Sequence, residues 1–193
     1  MPRTREFEPR DALIKAMHLF WQHGYTDTSM DDLVVHTGVS RYGLYGTFGD
    51  KHDLFVAALD QYRDTITTAL LGPLERPDAS LAAITRYFAT FAALAAQPEA
   101  RMGCLMANTA VELAPLEGAI AQRVTAHFAR MRNAFHGALV NAQQQGELVA
   151  ETQTEQLADY LLGVAQGLTV CLRAALPTST IQNYVAVALK QLR

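Results

Sequence analysis

Apolar residues recur along this chain at helical spacing, and nothing alternates with period two over more than a few positions. The first apolar face, Ala12, Leu13, Ala16, Leu19 and Phe20, predicts a helix of about fifteen residues that follows Pro9 and ends at Gly24. Two short helices are expected next, over 29–37 and 40–48, divided by the Gly38-Val39 turn. Thr28 or Ser29 can cap the first of these, with Asp31 and Asp32 near its positive end, and Ser40 can cap the second. A longer helix opens at Asp50 and carries Leu54, Phe55, Ala58, Leu59 and Tyr62 on to Leu71, where Gly72-Pro73 stops it.

Further helices are expected over 80–96, 104–113, 117–145, 155–175 and 179–191, between the breakers Pro98, Gly103, Pro115, Gly146 and Pro177. Thr152-Gln-Thr-Glu155 and Ser179-Thr-Ile-Gln182 have the spacing of capping boxes at the last two helix starts. The fold class is therefore all-α, with about nine helices. Gly72 to Asp78, with Pro73 and Pro77, is the clearest break between an N-terminal head and a C-terminal body. The division is expected as one domain over 1–60 and a second over 61–193.

Composition narrows the class. Half of the 193 residues are hydrophobic and 18% are charged, which suits one globular domain or two small ones. The longest mostly apolar stretch, Tyr160 to Leu176, contains Gln166 and Arg173 and falls short of the roughly 20 apolar residues a bilayer span needs. The opening Met-Pro-Arg-Thr-Arg-Glu lacks the apolar stretch of a secretion signal, and Cys104 and Cys171 are far apart. A cytoplasmic protein with reduced thiols and no membrane partner is expected. The net charge of −3 argues at first against nucleic acid. Acids outnumber bases even within residues 1–60, so any DNA contact must come from a few placed cations and from backbone amides.

Two short helices around a glycine turn, with a longer helix across them, form the arrangement in which the second short helix can enter a major groove. Ser40, Arg41, Tyr42, Tyr45 and Thr47 fall on that second helix or its cap, and all can donate hydrogen bonds to phosphates or base edges. Arg41 and Tyr42 sit just inside its N-terminus, the end that inserts first. Leu33, Val34, Val39, Leu44 and Phe48 are left to pack the head. Bland readings stand beside these: Tyr45 as a core aromatic with a satisfied hydroxyl, Arg41 as a solvated surface charge. Arg3, Arg5 and Arg10 suit either a basic arm or a solvated terminus.

Gly24-Tyr25, Thr28-Ser29 and the run Thr37-Gly38-Val39-Ser40-Arg41-Tyr42-Gly43-Leu44-Tyr45-Gly46-Thr47-Phe48-Gly49-Asp50-Lys51-His52-Asp53-Leu54-Phe55 resemble the DNA-binding signature of the tetracycline-repressor (TetR) superfamily. The resemblance covers about residues 9–60. It implies a repressor that binds a palindromic double-stranded operator and is released by a small-molecule or reactive effector. It further implies that Tyr45 and Lys51 contact operator phosphates, with Thr28 assisting. Where many members carry His before the conserved Phe, this chain has Thr47, which can bond a phosphate but carries no charge.

A head of this kind needs a dimer, because two half-sites call for two linked recognition helices. Leu157, Tyr160, Leu161, Val164, Gly167, Leu168, Cys171 and Leu172 make the penultimate helix apolar around most of its girth, and Gly163 and Gly167 permit close approach. Ile181, Tyr184, Val185, Ala188 and Leu192 add to this surface on the last helix. The resemblance likewise implies a homodimer joined by a four-helix bundle; the other reading is a monomeric core.

Within Arg101 to Glu112, the Gly103-Cys104-Leu105 triplet followed by Asn108 and Glu112 is similar to a motif of one TetR branch that includes sensors of electrophiles and acrylate-type ligands. Cys104 falls at a predicted helix start, where the dipole lowers a thiol pKa, and Arg101 is near; a reactive thiolate is one reading, a small buried hydrophobe the other. Cys171 reads as packing. An effector cavity in the body is expected to use Phe88, Phe91, Met106, Asn108, Phe128, Met131, Phe135 and Gln166, and this mixture suits an apolar or small amphipathic ligand.

Six histidines and Cys104 raise the alternative of an enzyme, but HExxH, CxxC, GxSxG and glycine-rich phosphate loops are missing, and His127 and His136 fall on different sides of one helix. No catalysis, metal or cofactor is expected. A helical interaction module without DNA binding would explain the acidic balance but not the arrangement from Arg41 to Lys51.

Overall fold

A computed structural model describes residues 7–95, 97, 101–113 and 118–192. Helix α1 (Pro9–His23) opens on a proline whose fixed φ suits a first turn, and ends at Gly24, whose φ of 87° favours glycine. Helix α2 (Met30–Thr37) starts with a reciprocal cap in which Ser29 Oγ accepts the Asp32 N–H and Asp32 Oδ2 accepts the Ser29 N–H. After the turn at Gly38, Ser40 Oγ accepts the Gly43 N–H at 3.2 Å and starts α3 (Arg41–Phe48). Asp50 and Asp53 form a second reciprocal cap at the start of α4 (Lys51–Tyr62).

The long helix expected to run unbroken to Leu71 instead passes through a π-helical turn, Arg63–Thr67, before its last α-turn, Thr68–Leu71. Hydroxyl groups compete for the backbone there: Thr65 Oγ1 donates to Gln61 O and Thr68 Oγ1 to Arg63 O. Helices α5 (Leu81–Leu94), α6 (Leu105–Glu112), α7 (Gly118–Gln144), α8 (Thr154–Arg173) and α9 (Thr178–Lys190) follow, and no strand occurs among the described residues. Counting α4 with its π-turn as one element, nine helices are described and the all-α class holds. The expected breakers Pro98 and Pro115, and Arg3 and Arg5, lie outside the described residues.

Neither capping box expected at the last two helices forms. Gln153 and Pro177 precede α8 and α9 without a side-chain cap. The loop before α8 is held from α7 instead, because the Gln143 side-chain amide donates to the carbonyls of Val149, Ala150 and Thr152. Pro177 presets the chain before α9.

Two apolar clusters fill the molecule. One joins α1 to α4 through Phe20, Leu33, Val39, Leu44, Leu54 and Phe55, and runs on into α6 and the first turns of α7 through Leu105, Met106, Ile120 and Val124. Val34 and Phe48 pack at its edge, half-buried. The other joins α5, the rest of α7, α8 and α9. Phe88 stacks on Phe135 there, with Tyr87 edge-on to it at 5.0 Å between centroids. Helix α8 buries Ala158, Leu161, Ala165, Leu168 and Leu172. Its other face leaves Tyr160 and Val170 exposed, as α9 leaves Tyr184 and Val187, while Gly163 and Gly167 border open space.

Candidate nucleic-acid interface and body cavity

On α3, Leu44 is fully buried and Phe48 packs half-buried beside it, while Arg41, Tyr42 and Tyr45 face outward. Tyr42 is 85% and Tyr45 42% exposed, Ser40 and Arg41 are exposed, and Thr47 is half-buried. Arg41 Nη2 lies 2.5 Å from Asp31 Oδ1, an ion pair between two exposed side chains of α2 and α3. That pair holds the guanidinium above its ordinary pKa. Lys51, at the start of α4, places its ammonium 4.2 Å from the centre of the Tyr25 ring. Partial burial draws its pKa down, against the attraction of Glu112, Asp27 and Asp32. Thr28 does not join this face: its side chain is buried and Oγ1 donates to Gly24 O at 2.6 Å.

The head is fastened to the body by the second motif. Glu112, at the end of α6, accepts the Tyr25 N–H at 3.1 Å and the Thr26 N–H at 2.6 Å. Burial alone would raise its carboxyl pKa, but these bonds outweigh burial and hold it below the ordinary value. A Cβ at Gly24 would meet Glu112 Oε2 at 2.8 Å, so close approach as well as positive φ requires glycine there. Trp21 Nε1 donates to Gly103 O at 3.2 Å, and Arg173, ending α8, donates to Met102 O and Trp21 O. Gly103 has a φ of 66° and would bring a Cβ to 3.1 Å from Thr169 O. Asn108 Nδ2 donates to Met102 O and braces the same loop.

Beneath these contacts lies a cavity of about 210 Å³. Trp21 closes it from α1; Tyr62, Ile66, Thr67, Leu70 and Leu71 line it from α4 and its π-turn. Tyr87 and Phe91 come from α5, His127 and Met131 from α7, Gln166, Thr169 and Leu172 from α8, and Cys104 from the start of α6. Of the residues expected there, Phe91, Met131 and Gln166 border it, and the candidate sensor Cys104 joins them. The others do not. Phe88 and Phe135 stack on each other in the body core, Met106 and Phe128 belong to the head cluster, and Asn108 is spent on Met102 O. Trp21, Tyr62, Thr67 and His127 were not anticipated on this wall, although each appears in the sequence on a predicted helix.

Cys104 corrects the expectation of a low-pKa thiol. It does precede the first turn of α6, yet its side chain is buried and burial pushes the thiol pKa up, beyond what the bonds from Ala107, Tyr62 and Met106 recover. Its Sγ lies 3.9 Å from His127 Nε2. Burial also lowers the His127 pKa to about 4, leaving a neutral ring at pH 7. Asp50, His52 and Asp53 place ligand-type atoms within 4.8 Å of one another, but the two carboxylates are the caps of α4.

A glycine-turned helix pair with an outward-facing second helix, carried on a helical body, defines a helix-turn-helix transcriptional regulator. Residues 13–58 match the family described as bacterial regulatory proteins, tetR family, and residues 80–186 match the tetracyclin repressor-like C-terminal domain. The chain belongs to the TetR family. It is 32% identical over 193 residues to the uncharacterized HTH-type transcriptional regulator YezE of Bacillus subtilis (strain 168), covering 100% of both chains. It is also 32% identical over 189 residues to the HTH-type transcriptional repressor ComR of Escherichia coli (strain K12), covering 97% of this chain and 90% of that one. Its fold is similar to a solved structure of a cysteine mutant of the TetR family regulator CifR complexed with 26bp double-strand operator DNA, at a TM-score of 0.86 and 26% identity over 97% of this chain and 98% of that one. Among the described residues no helix is long and apolar enough to cross a membrane.

Proposed function

We propose that this protein is a cytoplasmic, non-catalytic repressor that holds a palindromic double-stranded operator as a homodimer and releases it when a small molecule occupies the body cavity. The observation that carries the reading is the outward face of α3, where Ser40, Arg41, Tyr42 and Tyr45 stand exposed. Tyr45, Thr47 and Lys51 serve the phosphates, and Arg41 and Tyr42 read base edges. The Arg41–Asp31 pair is a solvent-screened surface contact, so the guanidinium is readily released for a base. Residues 1–60 bind DNA, and residues 61–193 bind effector and dimerise.

The open face of α8 and α9 supports dimerisation: Tyr160, Val170, Tyr184 and Val187 are large apolar side chains at the surface, with Gly163 and Gly167 free of neighbours between them. Release follows from geometry that joins cavity to head. Trp21 both closes the cavity and sits on α1, and the π-turn that lines it is the continuation of α4, which carries Lys51. A ligand shifts the equilibrium only by its differential affinity for the two body states, so the wall must rearrange between them.

A mobility-shift titration tests this with the promoter DNA beside the protein's own gene and a competitor of unrelated sequence. The reading requires a shift that survives excess competitor and a mass of two chains per duplex. Loss of the shift with competitor contradicts it and favours a helical interaction module.

A further inference from the structure

We infer that the body cavity takes a small, uncharged and mostly apolar molecule bearing a hydroxyl-type polar group, of the size of an aryl alcohol. This deepens the proposed effector role by naming the ligand class of the same site.

Charge is the first argument. Among the described residues the wall contains no Asp, Glu, Lys or Arg. Its titratable groups are neutral at pH 7, since burial raises the Tyr62, Tyr87 and Cys104 pKa values and lowers that of His127. A carboxylate or ammonium placed there would be desolvated without a counter-charge.

Polarity is the second. Among the described residues, the buried side-chain polar atoms with no hydrogen-bond partner are Thr67 Oγ1, His127 Nδ1 and Gln166 Oε1. All three residues line this cavity, and they come from three different segments: the π-turn, α7 and α8. Native proteins leave few such groups unmet, so their convergence on one space points to a polar occupant. Gln166 Oε1 accepts only. His127 Nδ1 donates or accepts according to how Nε2 meets the Cys104 thiol. A hydroxyl both donates and accepts, so it serves Gln166 and either form of His127, which neither a carboxylate nor a hydrocarbon can do.

Size and shape are the third. A cavity of about 210 Å³ is somewhat larger than the ~150 Å³ space that holds benzene. Trp21, Tyr62, Tyr87 and Phe91 supply aromatic and apolar wall for the rest of the molecule.

The test uses three molecules of near-equal size: benzyl alcohol, benzoate and toluene. Trp21 is the chain's one tryptophan and lies in the wall, so its emission reports occupancy of the full-length protein without DNA. Saturable change with benzyl alcohol, at about tenfold or greater preference over both toluene and benzoate, is expected. Gln166→Leu and Thr67→Val should each shrink the preference over toluene while toluene still binds, which also shows that the variants are folded. Binding of benzoate as tightly as the alcohol, equal binding of toluene, or no binding of any of the three overturns the ligand class. Operator affinity measured in parallel separates the two readings: saturating alcohol that leaves DNA binding unchanged contradicts the regulatory role and not the ligand class.

Discussion

The carboxylate of Glu112 accepts the backbone N–H of Thr26 at 2.6 Å and thereby ties the end of α6 to the loop between α1 and α2. Its second oxygen takes the Tyr25 N–H, and the Tyr25 ring carries the Lys51 ammonium. One acid of the body thus positions the loop against which a phosphate-binding candidate of the head rests. Replacing it should disturb DNA binding without touching α3. Glu112→Ala is expected to cost about 1 kcal/mol of stability, allowing for its partial exposure, and to weaken operator binding; Glu112→Gln should do less, keeping one acceptor. Urea denaturation and operator titration of both variants check this, and unchanged DNA affinity in Glu112→Ala would show that the latch is structural only.

Arg41 offers a separable readout. Arg41→Ala should lose about 1–3 kcal/mol of specific binding and relax preference at one or two positions, since a bidentate base contact carries sequence information. Asp31→Ala removes one exposed partner of Arg41, leaves Tyr45 beside the guanidinium, and should leave operator affinity equal or slightly higher. Selection of randomised duplexes by each variant measures both effects.

Cys104 should be a slow nucleophile. Its thiol is buried and its pKa raised by that burial, so the thiolate is scarce at neutral pH. In a Cys171→Ser protein, iodoacetamide should label Cys104 about tenfold or more slowly in the folded than in the urea-unfolded state. Equal rates would restore the reactive-thiol reading.

His127 makes stability depend on acid. Burial depresses its folded pKa from 6.5 to about 4, with Arg130 adding repulsion from the same helix and the neutral Cys104 thiol facing Nε2. Between those values the unfolded chain binds the proton and the folded chain does not, so stability present above pH 6.5 falls as pH falls towards 4. The loss should reach about 3 kcal/mol. A His127→Gln variant removes this titration while keeping the carboxylates, so the difference between its denaturation profile and that of the parent isolates the histidine.

The head was legible because its signals are local. Ser29, Asp32, Ser40, Asp50 and Asp53 cap the helices they precede or begin, within four residues of their partners. Thr28 was misread as facing DNA for want of a non-local fact, namely that the chain folds its hydroxyl back onto Gly24 O and buries it. Helical periodicity picked out Phe91, Met131 and Gln166, but it cannot tell which inward side chain meets a neighbour and which meets a space. Phe88 and Phe91 are one turn apart on α5, yet only Phe91 borders the cavity. Trp21 lay hidden because it reaches the body from the head. Gly103, Asn108 and Glu112 were noticed as a motif and read as chemistry; they brace a loop and latch two parts of the fold together.

The central claim, that the outward face of α3 and Lys51 hold operator DNA, is tested most directly by titrating the parent, Tyr45→Ala and Lys51→Ala proteins against the promoter duplex and a scrambled duplex of equal length. The parent should prefer its promoter, and both variants should weaken binding to the two duplexes by similar factors, because phosphate contacts are blind to sequence. Parent-like affinity of both variants for the promoter duplex at moderate salt would contradict the assigned docking face.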